Sequence, residues 1–169
     1  HSPERHAFNY VFPREQLGRL IQNLVVAYGL ANPKILIAPL GTGSDVKYLW
    51  SISDDISGID ISEEAISRVA SDTVKKHVGD MKNMSMFENG SFDFVITPLF
   101  FHHFIRFRFD DFLREMHRVL KPGAHFVALE PNLLHPVCFM ASIVRRFVGN
   151  ITGALDDEAP FVPFRLTNS

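Results

Sequence analysis

The sequence contains a single cysteine, Cys138, among its 169 residues. One thiol cannot form an intrachain disulfide or a cysteine-based metal site, and this usage is typical of a reducing, cytoplasmic setting. The sequence also lacks an apolar run of the roughly 20 residues needed to cross a bilayer. It does not open with the pattern of a secretory signal peptide. These absences argue against a secreted disulfide protein and against a membrane-spanning one.

A surplus of positive charge is also absent. The 17 lysines and arginines are balanced by 19 acidic residues, which gives a formal net charge of −2. Domains that bind nucleic acid usually carry a basic stripe, whereas the densest basic spot here is the pair Arg145 and Arg146. We therefore expect no nucleic-acid partner.

Short apolar runs alternate with segments of helical period, a pattern typical of βαβ units and a parallel sheet. The predicted strands span residues 34–38, 56–60, 75–78, 92–97 and 125–130. Predicted helices span 14–28, 110–120 and 136–148, with further helices starting near Ser44 and after the N-cap Ser62. Because 46% of the residues are hydrophobic, one α/β domain with a substantial core is expected.

A glycine turn follows the first predicted strand. Gly41 and Gly43 can adopt main-chain angles that other residues avoid, and they leave room for a ligand. The predicted helix start at Ser44 would offer unpaired N–H groups. Asp60 ends the next strand about 20 residues later, where a carboxylate can accept hydrogen bonds from ribose hydroxyls. This combination predicts a nucleotide-type ligand at the carboxyl edge of the sheet.

The dinucleotide fingerprint requires a third glycine, and Val46 stands where that glycine belongs. A nicotinamide-dependent oxidoreductase is therefore a disfavoured alternative.

Five segments of the chain form an ordered set of motifs: residues 35–43, 58–62, 78–81, 92–104 and 112–132. Together they resemble the motifs of the class I S-adenosylmethionine (SAM)-dependent methyltransferases, particularly the small-molecule, type 11-like enzymes grouped with quinone biosynthesis. The resemblance implies a Rossmann-like, doubly wound, mostly parallel sheet in a three-layer αβα arrangement with strand order 3-2-1-4-5. It implies one domain over 1–169, with a core at 33–132 and flanking cap or substrate segments at 1–32 and 133–169.

The resemblance also implies the cofactor SAM and a set of residues that hold it. Asp60 would bind the ribose, Asp80 and Met81 the adenine, and the turn from Ala38 to Gly43 the methionine part. The full set of implied cofactor residues is Ala38, Pro39, Leu40, Gly41, Gly43, Asp60, Ile61, Asp80, Met81 and Thr97. Asp80 has a structural alternative, as a turn residue after a short strand.

His102 and His103 follow the fourth predicted strand, near where a methyl acceptor would lie. A histidine there could serve as general base because its pKa lies near neutrality; His103 is the first candidate and His102 the second. The alternative is that at least one is packed and bonded to the main chain. The remaining histidines show no metal-ligand spacing, so no metal is expected.

Two departures from the family pattern stand out. The family usually has an acid at the position of Ile37 and a glycine at that of Pro39, and an isoleucine cannot pair with the methionine ammonium. No strand pair is recognisable after Asn150, so the sheet is expected to lack its terminal hairpin. The sequence thus predicts a SAM-dependent methyltransferase acting on a small molecule, with a non-catalytic binding module or partner subunit of the same fold as the alternative.

Overall fold

The computed structural model describes residues 3–101 and 109–130, with side chains from residue 13 onward in the first range. The helices are α1 (Pro3–Ala27), α2 (Glu63–Ser67) and α3 (Asp110–Val119). The strands are β1 (Ile35–Ile37), β2 (Ile56–Asp60), β3 (Val74–Val78), β4 (Phe92–Pro98) and β5 (Leu120–Leu129), and a 3₁₀ turn spans Val46–Tyr48. The contacts define two units: one holds residues 3–98 and 109–129, and the other holds the described residues 99–101 and 130.

The five strands of the first unit form a parallel sheet in the order β3-β2-β1-β4-β5, which confirms the prediction. The central strand β1 pairs Ile37 with Gly58 on one side and with Ile96 on the other. All three β1 residues are buried, as expected for a strand that is covered on both faces. The carboxyl ends of β1, β2 and β4 therefore meet at one edge.

Helices cover both faces of this sheet. Leu17 and Ile21 of α1 and Ile66 of α2 pack with Ile35 and Ile37 in one core cluster. Side chains alternate along a strand, and the buried residues that lie outside this cluster include Leu36, Val95, Phe112, Met116 and Val119. The α3 residues among them cover the second face, which gives the expected three-layer arrangement.

Helix α1 starts earlier than predicted. The helical spacing of apolar residues predicted a start at about Arg14. The helix instead begins at Pro3 and includes Pro13. Leu17, Ile21 and Val25 are buried at helical spacing, and this packing holds the helix C-terminal to the proline.

The helix predicted after Ser44 is wrong, because only one 3₁₀ turn forms there. Val46 and Leu49 are buried, but Trp50 is 55% exposed. The buried residues Val46 and Leu49 are three positions apart, which suits the geometry of a 3₁₀ turn. Because Trp50 is exposed, the segment lacks the buried apolar face that a longer helix would have. The predicted anion site at a helix N-terminus is lost with the helix.

Strand β5 begins at Leu120, directly after α3, and not at His125 as predicted. Its pairing moves from Phe92–Leu120 to Phe94–His125, so β5 has extra residues at this point. Gly123, with φ of +76°, permits this irregularity. The Lys-Pro-Gly segment at residues 121–123, which follows the predicted helix 110–120, therefore lies inside the strand.

The predicted helix 136–148 and the chain after Asn150, including any terminal hairpin, lie outside the described residues. Within the ranges that are described, none of the helices has the length and apolar character to span a membrane.

Candidate cofactor site

The turn from Ala38 to Gly43 follows β1 and is bonded to both neighbouring strands. The Ala38 N–H donates to the carbonyl of Ile96 in β4 at 2.9 Å. The Leu40 N–H donates to the carbonyl of Ile59 in β2 at 2.8 Å. The peptide bond between Ala38 and Pro39 is cis. The turn is thus held at the carboxyl edge of the sheet, between β2 and β4.

Leu40 anchors the turn through its side chain, which is buried. A Cβ atom added at Gly58 would lie 2.5 Å from Leu40 Cδ2, so the side chain occupies the space that a larger residue in β2 would need. Leu40 was predicted to contact the cofactor. Its side chain faces protein, so its main chain is the part available to a ligand.

The two glycines of the turn have different surroundings. Gly41 and Gly43 adopt φ of +56° and +76°, angles that favour glycine. A Cβ at Gly43 would lie 2.8 Å from Val69 Cγ1, whereas no heavy atom lies within 4 Å of a Cβ placed at Gly41. Gly43 therefore packs against protein, while the main chain at Gly41 borders open space that a ligand can enter.

Asp60 joins this turn to the end of β2. Its Oδ2 accepts the Gly41 N–H at 2.8 Å, and its Oδ1 accepts the Ser62 N–H at 2.9 Å. The residue is only 9% exposed. A carboxylate oxygen has more than one lone pair, so both oxygens retain capacity for a ligand hydroxyl. The predicted acid and glycine turn are thus in direct contact.

Three predicted cofactor residues, Ile61 and the adenine candidates Asp80 and Met81, lie just after the ends of β2 and β3. Ile61 is 74% exposed, which is unusual for a large apolar side chain. Asp80 is exposed, and its Oδ1 accepts the Lys82 N–H at 2.8 Å. The side chain of Met81 is buried. Asp80 therefore has the turn role that was the alternative for it, and its carboxylate is at the surface.

Thr97 lies near the end of β4 and is fully buried. Its Oγ1 is the only buried side-chain polar atom without a hydrogen-bond partner in the described part of the chain. Such a group destabilises a fold by about 1–3 kcal/mol. Ile37, in the neighbouring strand, is completely buried in the core cluster. The edge therefore has a polar atom that lacks a partner, but no carboxylate at the usual family position.

An ion pair that the sequence did not reveal lies at the exit of the turn. Arg14 Nε of α1 lies 2.6 Å from Asp45 Oδ1, and the Asp45 side chain is 7% exposed. The two residues are 31 positions apart, and neither belongs to a recognised motif.

A second unpredicted contact lies in the smaller unit. Oε1 of Glu130 accepts the N–H groups of Phe100 and Phe101 at 2.9 and 2.7 Å. Leu99, the preceding residue, has φ of +51°, which is uncommon outside glycine. The carboxylate thus fixes the main chain just after β4. His102 and His103 come next in sequence and lie outside the described residues.

Other polar groups have structural roles. Asp93 accepts the Lys34 N–H at 2.9 Å and pairs with Lys121 Nζ at 2.8 Å, at the amino ends of β1 and β4. Asp93 therefore fixes the starts of these strands. The ring of His125 lies against those of Tyr28 and Phe94. Across residues 3–101 and 109–130, no three His, Cys, Asp or Glu side chains are grouped to hold a metal ion.

Burial and, secondarily, the nearby charge of Lys75 lower the pKa of His77, whose ring contacts Phe87 edge-on at 4.7 Å. The lowered pKa disfavours the protonated form of this histidine, which lies in the edge strand β3.

Comparison with known proteins shows that the sequence matches a protein family. The family model for a methyltransferase domain matches residues 38–128. An uncharacterized methyltransferase from Synechocystis sp. is 24% identical over 157 residues, covering 86% of this chain and 73% of the relative.

Solved structures share the fold. A SAM-dependent methyltransferase from Mesorhizobium loti is 22% identical with a TM-score of 0.50, covering 58% of this chain and 46% of that one. The [4+2]-cyclase SpnF is 22% identical with a TM-score of 0.54, covering 67% and 43%. This chain thus spans less than half of either structure. The family match covers more than half of the present chain, and the chain therefore belongs to the methyltransferase domain family, with the fold of the class I SAM-dependent enzymes.

Proposed function

We propose that this chain is a SAM-dependent methyltransferase that transfers a methyl group to a small-molecule acceptor. The observation that carries this proposal is the contact between the Asp60 carboxylate and the Gly41 N–H at 2.8 Å, beside main chain that borders open space. A fixed carboxylate and an approachable glycine turn at the end of adjacent parallel strands suit an adenosyl ligand.

Asp60 would bind the ribose. Its two oxygens are held in place by the main-chain donors of Gly41 and Ser62, so little side-chain order is lost when a ligand binds. Preorganisation of this kind lowers the cost of binding. The two oxygens can accept one hydroxyl each from a vicinal diol.

Adenine would bind next to the ribose. The exposed side chain of Ile61 supplies an apolar surface for the flat base. The Asp80 carboxylate would accept a hydrogen bond from the exocyclic amine of adenine. Met81 would contact the base through its main chain, because its side chain is buried.

The methionine part would lie along the turn from Ala38 to Gly43. Ile37 is buried and apolar, so it cannot pair with the ammonium. Thr97 Oγ1 fits a polar ligand at this edge, because it is buried and lacks a partner. Carbonyl groups of the turn and this hydroxyl would together replace the missing acid. These residues therefore fit SAM, with a weaker electrostatic contact than the family pattern provides.

SAM supplies a methyl group that its sulfonium already activates for displacement. The protein then has to align donor and acceptor at about 3–3.5 Å and exclude water. An oxygen or carbon acceptor also needs a base, for which His103 and then His102 remain our candidates. Several of the 16 phenylalanines would line an apolar pocket for a small acceptor, while others, such as Phe94, fill the core.

The fold and the departures from the family pattern leave two alternative functions. A non-catalytic domain is supported by Ile37 and Pro39, and the cyclase SpnF shows that this fold also occurs in a protein named for another reaction. An oxidoreductase would need NADH, and Val46 replaces the glycine which that cofactor requires.

Calorimetric titration of the purified chain with SAM, with its demethylated product S-adenosylhomocysteine (SAH) and with NADH distinguishes these possibilities. We expect heat with SAM and SAH and none with NADH. Mass spectrometry of the purified protein is expected to find bound SAM or SAH. Absence of binding to both adenosyl compounds would overturn the proposal, and binding of NADH alone would favour the oxidoreductase.

A further inference from the structure

Helix α1 lies outside the residues that match the family model, which begin at residue 38. It is nevertheless tied to the glycine turn by the Arg14–Asp45 ion pair, whose atoms are 2.6 Å apart. Asp45 comes two residues after Gly43. The pair therefore connects a helix from outside the shared domain to the exit of the turn.

The Asp45 side chain pairs with Arg14 and does not cap the 3₁₀ turn that it precedes. Asp45 occupies the N-cap position of the 3₁₀ turn, where an aspartate usually accepts a nearby main-chain N–H. Its side chain makes no capping bond. The carboxylate points instead to Arg14, with Ser44 Oγ 3.4 Å from its second oxygen.

Close packing supports the same contact. A Cβ placed at Gly18 of α1 would lie 2.8 Å from the carbonyl oxygen of Tyr48. Only glycine lets the helix approach the 3₁₀ turn this closely. The helix and the segment after the glycine turn thus meet through both an ion pair and main-chain packing.

We propose that the Arg14–Asp45 pair is a positioning device that couples docking of α1 to cofactor binding at the glycine turn. This inference rests on the proposed function. The turn is held from one side by Asp60, through Gly41, and from the other by Arg14, through Asp45. Without Arg14, the buried Asp45 carboxylate loses this cation and is drawn toward water, because a buried charge needs a partner. Gly43 and Ser44 would move with it.

The test measures SAH affinity by calorimetry in variants of the full chain. We expect Arg14→Gln and Asp45→Asn each to weaken SAH binding about tenfold, a coupling in the range found for contacting residues. The double variant Arg14→Gln/Asp45→Asn buries no unpaired charge and should bind SAH no more weakly than either single variant. Arg14→Lys retains the charge and should recover part of the affinity.

Two controls separate positioning from general stability. Arg114→Gln removes an exposed ion pair with Asp111 on α3, and it should leave SAH affinity unchanged. Val119→Ala opens a cavity on the other side of the sheet, where Val119 is fully buried. It should lower the melting temperature without weakening SAH binding at a temperature where the chain is folded.

Hydrogen–deuterium exchange of a peptide covering residues 14–27 gives the second readout. SAH should slow exchange in this peptide of the wild-type chain and have little effect in Arg14→Gln.

If the wild-type chain binds SAH and Arg14→Gln has the same affinity and the same protection, the proposed coupling is wrong while the proposed function stands. If Val119→Ala weakens binding as much as Arg14→Gln, the pair acts through stability alone and the inference fails. If the wild-type chain binds neither SAH nor SAM, the proposed function fails first and this inference falls with it.

Discussion

The carboxylate of Asp60 accepts the main-chain N–H of Gly41 at 2.8 Å, and its other oxygen accepts the N–H of Ser62 at 2.9 Å. The side chain that we assign to the ribose therefore also shapes the turn beside it. Asparagine would not be a neutral replacement, because its single oxygen cannot satisfy both donors and its amide nitrogen would face one of them. Ligand binding and local order are thus linked at this residue.

Thr97→Val tests the unpartnered hydroxyl. We expect the variant without ligand to be more stable by about 1 kcal/mol, since an unsatisfied buried polar atom is removed. The increase in melting temperature on adding SAH should become smaller, because the hydroxyl is assigned to the ligand. Differential scanning fluorimetry with and without SAH measures both effects.

Thr73→Val is the control for this prediction, because Thr73 is exposed and its hydroxyl lies 2.9 Å from Ser71 Oγ. It should show no gain in stability. If SAH raises the melting temperature of Thr97→Val as much as that of the wild-type chain, the assignment of Thr97 to the cofactor site is wrong.

Gly58→Ala tests the anchoring of the turn. The new methyl group would lie 2.5 Å from Leu40 Cδ2, so Leu40 must move and the turn with it. We expect a loss of about 1–3 kcal/mol in the free energy of unfolding, typical of overpacking, together with weaker SAH binding. Urea unfolding and calorimetry measure the two effects. Leu40→Ala removes the atoms with which the new methyl group would clash. The double variant Gly58→Ala/Leu40→Ala should therefore lose less stability than the sum of the losses in the two single variants. Strict additivity would show that the predicted clash is absent.

A partly buried ion pair between Glu115 and Arg118 of α3 predicts acid sensitivity. The guanidinium of Arg118 lowers the pKa of Glu115 chiefly through its hydrogen bonds, and the N–H of Met84 adds to this, against the opposing effect of burial. The charged carboxylate therefore stabilises the fold above its ordinary pKa of 4.5. This contribution is lost as the pH falls through the lowered pKa of the folded state.

Glu115→Gln should accordingly lose about 1–3 kcal/mol of stability at pH 7, as expected for hydrogen bonds to a charged group. The difference from the wild-type chain should shrink below the ordinary pKa of 4.5. Urea unfolding at pH 7 and at acid pH measures it. Glu64→Gln, at an exposed glutamate, should show neither effect; a constant difference for Glu115→Gln across this pH range would contradict the assignment.

Glu130 is predicted to hold the chain after β4. Both hydrogen bonds, from Phe100 and Phe101, go to one oxygen of Glu130. Glu130→Gln can therefore retain them through its amide oxygen, whereas Glu130→Ala cannot. We expect amide exchange in a peptide containing these two phenylalanines to be about tenfold faster in the alanine variant, the consequence of losing a charge-assisted bond. Equal exchange in the alanine and wild-type chains would show that these bonds do not order the segment.

The parts of the fold that were predictable have local signals. Strands β1, β2 and β4 contain short apolar runs between turn residues, and the order of the strands follows from the family resemblance. The cap at Ser62 was also predicted, and its Oγ accepts the Ala65 N–H at 3.1 Å. The contact of Asp60 with the glycine turn follows from two strands that end at the same edge.

The rest depended on contacts between distant residues. The side chain of Asp45 pairs with Arg14 from another helix, and no local pattern indicates this. A 3₁₀ turn stands where a helix was predicted, with Val46 buried and Trp50 largely exposed. Strand β5 starts early, where a glycine with positive φ accommodates extra residues. Leu40 has the spacing of a cofactor residue, but its packing against Gly58 turns its side chain to the core.

Calorimetric titration of SAH into the wild-type chain, Asp60→Ala and Asp93→Ala tests the central claim most directly. Asp93 is the matched control, since it also accepts a main-chain N–H but lies at the amino ends of its strands. We predict that Asp60→Ala weakens binding by about 1–3 kcal/mol and that Asp93→Ala binds as the wild-type chain does. Wild-type affinity in a folded Asp60→Ala chain would contradict the assignment of this carboxylate to the ligand.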